Sequence, residues 1–138
     1  MMPRKGDAMS RIRSRTVARG LLFLAVCTRT ATAGTITVNS TADSVTGADG
    51  RCTLREAIAN VNAAADTTAG DCAAGTGTGD VVTFALALPA VIQLTSGQLM
   101  VEQSVDIVGP TVGTLRISGA RASTVLRIAA GATVRSRP

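Results

Sequence analysis

The segment Cys52-Thr53-Leu54-Arg55-Glu56-Ala57-Ile58-Ala59-Asn60-Val61-Asn62 constrains this chain most, because it satisfies several independent rules for a short helix at once. Thr53 and Glu56 stand at the spacing of a capping box. There the hydroxyl accepts the N3 amide and the carboxylate reaches back to the N-cap amide. Leu54, Ala57, Ile58, Val61 and Ala65 fall at i, i+3, i+4, i+7 and i+11, so they line one face of a helix running from Thr53 to about Ala65. That face has to lie on something apolar.

With 138 residues there is room for one domain with a modest core. Tyr, Trp and His are absent and Phe23 and Phe84 are the only aromatics, so any core is built from Val, Ile, Leu and Ala. Abundant Thr and Gly around these residues favour strands and tight turns. The formal charge of +5 sits in the first segment: Arg4, Lys5, Arg11, Arg13, Arg15, Arg19 and Arg29 make seven of the 14 basic residues, opposed only by Asp7. From Gly34 onward seven Arg face eight acids, a net of −1. Nucleic acid is therefore not an expected partner, since phosphate binding needs clustered positive charge.

Residues 1–19 are basic, 20–27 are apolar and Ala31-Thr32-Ala33 has the small-x-small pattern of a cleavage site. Residues 1–33 read as a secretory signal peptide cut between Ala33 and Gly34, which places the protein outside the cell or at its surface. The apolar run is far below the roughly 20 residues of a spanning helix. Translation from Met9 would give a more usual leader length, and a lipoprotein signal ending at Cys27 fits poorly because Val26 stands where a small residue is normal.

Residues 34–80 form the expected cap region. Thr35-Ile36-Thr37-Val38-Asn39 alternates as a short strand, and Asn39-Ser40-Thr41 reads as its end rather than as a glycosylation site. Cys27 leaves with the leader, so Cys52 and Cys72 remain, and in an exported protein they most simply form a disulfide. Closing that loop would stabilise the fold by roughly 3 kcal/mol. Two free thiols or half a metal site are the weaker readings: there is no His and no C-x-x-C, so zinc lacks soft ligands. Residues 73–80, with three Gly before Asp80, look like a phosphate or calcium loop only superficially. The next segment reads as a strand, not a helix, and there is a single copy out of register, so a flexible turn is expected.

Residues 81–138 read as strands punctuated by Gly and Pro: Val81 to Phe84, Val91 to Leu94, Val105 to Val108, Thr114 to Ile117 and Val125 to Ile128. Starts two runs apart differ by 24 (81 to 105), 23 (91 to 114) and 20 (105 to 125), a rough period with two strands per unit. A solenoid gives such a period, and a sandwich of short strands is not excluded by it.

Cys52-Thr53-Leu54-Arg55-Glu56-Ala57-Ile58 closely resembles the signature of the CSLREA domain, with Thr53 in place of its Ser. Thr37 to Asp43, Asp71-Cys72, Thr83-Phe84 and Val105 to Pro110 resemble the family's neighbouring segments, so the likeness covers most of Thr35 to Val134. It implies the start of an exported, mainly β protein: a right-handed parallel β-helix opened by a capping α-helix. An open β-helix end exposes apolar interior and unpaired strand edges. The helix is expected to lie across that opening with Leu54, Ile58 and Val61 inward and Arg55 on the other side, paired with Asp43, Asp49 or a backbone carbonyl.

The sequence stops at Ala132 to Pro138 within a strand-like run, after about two and a half units, where the family usually continues. A truncated product with an exposed last edge is expected. The alternative is a naturally minimal protein that pairs this edge with a partner or with itself. Parallel β-helices also host polysaccharide lyases and glycoside hydrolases, so Asp80, Glu102 and Asp106, with Arg116, Arg121 and Arg127, are the residues an enzyme would draw on. Acids and Arg at strand borders are more often solvated turn residues. Glu102 and Asp106 flank one strand start and could share a face. Mechanisms that need His are excluded, and those that need Lys are too, because Lys5 lies in the leader. The expectation is thus a non-enzymatic, adhesin-like surface module. It has no catalytic residues, no metal and no small-molecule cofactor, and it meets a surface glycan or protein through further coils. The competing reading is the N-terminal fragment of a carbohydrate-active β-helix enzyme.

Overall fold

The computed structural model describes residues 32–120 and 124–138. The proposed leader up to Thr30 and Ala31 lies outside the described residues, as does Arg121. Among the described residues the chain is mainly strands in parallel sheets with one helix, and no barrel closes. In order these are β1 (Thr35–Val38), α1 (Leu54–Ala63), β2 (Asp80–Phe84), β3 (Ala90–Gln93), β4 (Leu99–Val101), β5 (Val105–Val108), β6 (Leu115–Ser118), β7 (Leu126–Ile128) and β8 (Val134–Arg137).

Three sheets share them out. The first runs β1-β2-β5-β8, the second β3-β6 and the third β4-β7, and every pairing is parallel. After β1, which pairs with β2 across the helix segment, the chain visits the sheets in the order first, second, third (β2, β3, β4), repeats that order (β5, β6, β7) and returns to the first with β8. Partners stand 25 residues apart between β2 and β5 (Asp80 with Val105) and between β3 and β6 (Ala90 with Leu115). They stand 27 apart between β4 and β7 (Leu99 with Leu126) and 29 apart between β5 and β8 (Val105 with Val134).

This corrects the expected unit, which holds three strands rather than two. β4 was not among the expected runs: three residues are too few to display alternation. The expected 105-to-125 step joined β5 to β7, which lie in different sheets, whereas β5 pairs with β8. The other two steps, 81 to 105 and 91 to 114, do join paired strands, the first one residue and the second two residues off the observed register of Val81 with Asp106 and Val91 with Arg116.

Each inward position of a strand stacks on its parallel partner. Ile36, Val82 and Ile107 form one such ladder and Leu99 with Leu126 another. The β-branched residues suit this pleated surface, and successive side chains alternate between core and outside. Ile36, Val38, Val82, Ile92, Leu94, Leu99, Val101 and Val105 are all buried. Leu54, Ala57, Ile58 and Val61 of α1 complete that cluster as expected. Ala65, counted in the apolar stripe, lies outside the helix and is exposed, because Ala64 turns to φ 50° and its amide closes on the Asn60 and Val61 carbonyls. No helix among the described residues is long and apolar enough to cross a membrane.

Candidate functional site

The site that the helix motif builds is a lid on the first set of strands, and its assembly begins at the capping box. Thr53 adopts extended geometry; its hydroxyl oxygen accepts the Glu56 amide at 3.2 Å and Glu56 Oε2 accepts the Thr53 amide at 2.9 Å. The Thr53 hydroxyl also donates to the Ser44 carbonyl at 2.8 Å, tying the helix start to the preceding loop. Glu56 is buried, and its Oε1 has no hydrogen-bond partner among the described residues.

Arg55 points away from the core face and lands on Asp43, one of the three partners open to it. Nε donates to Oδ1 at 2.6 Å and an Nη to Oδ2 at 3.1 Å, the paired geometry that makes Arg–carboxylate contacts strong. The same guanidinium donates to the Gly97 carbonyl at 2.7 Å, while Asp43 Oδ2 accepts the Thr95 and Ser96 amides, each at 2.7 Å. One ion pair therefore stitches α1, the loop before it and the turn between β3 and β4. Burial pushes the Asp43 carboxyl up, but the Arg55 hydrogen bond and charge together with the Ser96 and Thr95 amides outweigh it and hold the group below its ordinary value.

Two asparagines on α1 have roles that the sequence does not announce. Asn62 Nδ2 donates to the Met100 carbonyl and its Oδ1 accepts the Glu102 amide, both at 2.8 Å. Met100 and Glu102 flank Val101, so one side-chain amide meets β4 as a neighbouring strand would. Asn60 is fully buried and turned the other way. Its Oδ1 accepts the Thr67 amide and hydroxyl at 2.7 Å, and its Nδ2 donates to the Ala73 carbonyl at 3.0 Å. The returning chain passes so close to Asn60 that a Cβ at Gly75 would overlap its carbonyl.

Cys52 and Cys72 form the expected disulfide, with Cα atoms 4.9 Å apart and both residues buried. Asp71 beside it accepts the Asp49 amide at 2.9 Å and the Gly50 amide at 2.8 Å, which fastens the loop before α1 to the loop after it. Asn39 stands one residue past β1, and its Oδ1 accepts the Cys52 amide at 2.7 Å.

The candidate acids of an enzyme do not converge. Asp106 on β5, Arg116 on β6 and Arg127 on β7 belong to three different sheets. Asp106 pairs with Arg137, and Glu102 is exposed in the turn after β4. Asp80 corrects the picture of a solvated strand border. It is fully buried, takes four hydrogen bonds and holds the Gly-rich 73–80 turn in place through Thr76 and Gly77. Among the described residues no group of three His, Cys, Asp or Glu comes together as a metal site.

Comparison with family models, with curated proteins and with solved structures found no match. The likeness to the CSLREA domain therefore rests on the residues that suggested it, Cys52 to Ile58 and their neighbours.

Proposed function

We propose that this chain is the non-catalytic N-terminal capping region of a secreted or cell-surface protein of the CSLREA type, in which the three parallel sheets are the first coils of a right-handed β-helix. Its role is adhesin-like: it closes the amino end of an elongated stalk, whose further coils meet a surface glycan or a protein. The observation that carries this reading is the pair Asn62 and Arg55. Their side chains satisfy the outer side of β4 and the turn before it, where an uncapped solenoid would offer its backbone to any passing strand. The far side, along β6, β7 and β8, has no further strand pairing with it among the described residues, and it is the side from which growth or self-association would proceed.

Two measurements test the proposal. The full chain, expressed with a C-terminal epitope, is expected outside the cytoplasm as a species beginning at Gly34 whose two cysteines are blocked until reduction. A cytoplasmic product with the leader intact and both thiols alkylated would refute export. Sedimentation of the chain carrying Arg55→Ala with Asn62→Ala is expected to show stronger concentration-dependent association than the parent, because the double change uncovers the β4 edge as a second open side. A monodisperse double variant would remove the capping role.

A further inference from the structure

The Asp80 carboxylate is the one buried charge whose surroundings the capping role does not explain. The residue is 0% exposed, yet its four partners are all neutral: the Gly34 amide at 2.9 Å and the Thr76 hydroxyl at 2.5 Å on Oδ1, and the Thr76 and Gly77 amides at 2.9 and 3.3 Å on Oδ2. Burial pushes its carboxyl up, and the hydrogen bonds from Thr76, Gly34 and Gly77 outweigh that and keep it ionised. No cation pairs with it among the described residues. A buried charge is ordinarily paired, since leaving it alone is costly.

The atom placed to supply the missing charge is Gly34 N itself. Ala33–Gly34 is the bond that the small-x-small pattern marks for cleavage. Hydrolysis there breaks the bond between the Ala33 carbonyl carbon and Gly34 N. Water gives its hydroxyl to the carbonyl and a hydrogen to the nitrogen, and the new amine takes up the proton that the new carboxylic acid releases. Gly34 is seated for this from both sides, for its carbonyl accepts the Val81 amide at 2.8 Å. Its lack of a side chain fits as well: a Cβ would stand 3.0 Å from Asp80 Oδ1 and 3.1 Å from Thr76 Cγ2.

We propose that Asp80 is the receptor for the mature amino terminus: removal of the leader turns the Gly34–Asp80 hydrogen bond into a part-buried ammonium–carboxylate pair that locks β1 onto β2. The proposal rests on the export reading, and it makes cleavage a stabilising step as well as a release from the membrane.

The test uses chains trimmed by a site-specific protease from a fusion partner, so that the leader peptidase plays no part. One chain begins at Gly34, a second keeps Ala33 before it and a third begins at an acetylated Gly34; the first two are also made with Asp80→Asn. The free Gly34 amine is expected to raise the folding equilibrium constant about tenfold over the extended and acetylated chains, the gain of giving a part-buried hydrogen bond that already has an anionic acceptor a cationic donor as well. With Asp80→Asn, free and extended chains should unfold at the same urea concentration. Equal stability of the free, extended and acetylated chains overturns the proposal, and so does an advantage that survives Asp80→Asn. If the Asp80→Asn chains do not fold, acetylation decides alone, because it removes the charge and leaves Asp80 in place. The intact mass of exported protein is read separately. A mature start other than Gly34 refutes the cleavage reading and with it the maturation role, whatever the trimmed chains show about the ion pair.

Discussion

Val101 on β4 and Ile128 on β7 are register partners in one parallel sheet, both apolar and β-branched, yet Val101 is 0% exposed and Ile128 is 48% exposed. The difference lies in what sits on the other side of each strand. β4 has α1 above it, with Asn62 taking its outward backbone groups, whereas among the described residues no further strand pairs with β7 in its sheet. Full burial of such a side chain is worth about 1.5–3 kcal/mol, so the same residue type contributes a large term at one end of the array and roughly half of it at the other. Between register partners in these parallel sheets, then, what covers the strand sets the energetic value of an apolar residue more than its identity does.

The contrast is broken most forcefully by placing one substitution at both ends. Leu54→Asp puts an unpaired charge under the lid and is expected to cost more than about 4 kcal/mol, so that the chain fails to fold, while Ile128→Asp should cost about 1 kcal/mol or less. Similar urea midpoints for the two would erase the distinction between the ends. Next in size is the covalent tie. Replacing Cys52 and Cys72 together by Ser is expected to lower stability by about 3 kcal/mol, read as a fall in melting temperature that reduction of the parent protein reproduces.

Asn62→Ala sharpens the comparison, because it makes the β4 edge resemble the β7 edge without disturbing the core. A loss of about 1 kcal/mol is expected, since water reaches the freed groups, together with stronger concentration-dependent association. The smallest effect concerns pH. Asp43 titrates below its ordinary value of 3.8 in the folded chain, so the stability it contributes is fully present above that value and is lost as pH falls through the lowered one. Asp43→Asn should therefore weaken the lid at neutral pH and make acid unfolding less steep. Asp66 and Asp80, whose carboxyls are also held below the ordinary value by hydrogen bonds, keep part of the acid sensitivity in that variant. An unchanged acid limb would mean that the Arg55–Asp43 pair is not formed in solution.

How much was legible in the sequence depends on the range of the interactions. The capping box and the apolar positions Leu54, Ala57, Ile58 and Val61 depend on neighbours within a turn or two and are found where the residues place them, whereas Ala65 falls outside α1 and β1 closes at Val38, one residue before Asn39. The disulfide was legible because only two cysteines remain once the leader is set aside. Asp43 was legible only as one of three partners open to Arg55, and its hold on the Ser96 amide, like the roles of Asn62 and Asp80, was not legible, since the partners Ser96, Met100 and Gly34 stand 53, 38 and 46 residues away. Asn60 and Asn62 read as ordinary polar positions of an amphipathic helix, although one is buried and the other stands in for a strand. β4 escaped notice for a different reason: Leu99-Met100-Val101 has no internal polar position to betray its alternation.

The range of those contacts also sets an order of events. Within the lid, Thr53 reaches Ser44, Asn60 reaches Thr67 and Cys52 reaches Cys72 across 9, 7 and 20 residues, whereas the first strand pairing spans the 46 residues from Thr35 to Val81. Short loops close at lower entropic cost and sooner than long ones. A chain delivered amino terminus first can thus close the local contacts of its lid early, while the ties of Arg55, Asp43 and Asn62 to residues 95–102 wait for the later strands. The helix becomes the seed from which the array is laid down in one direction.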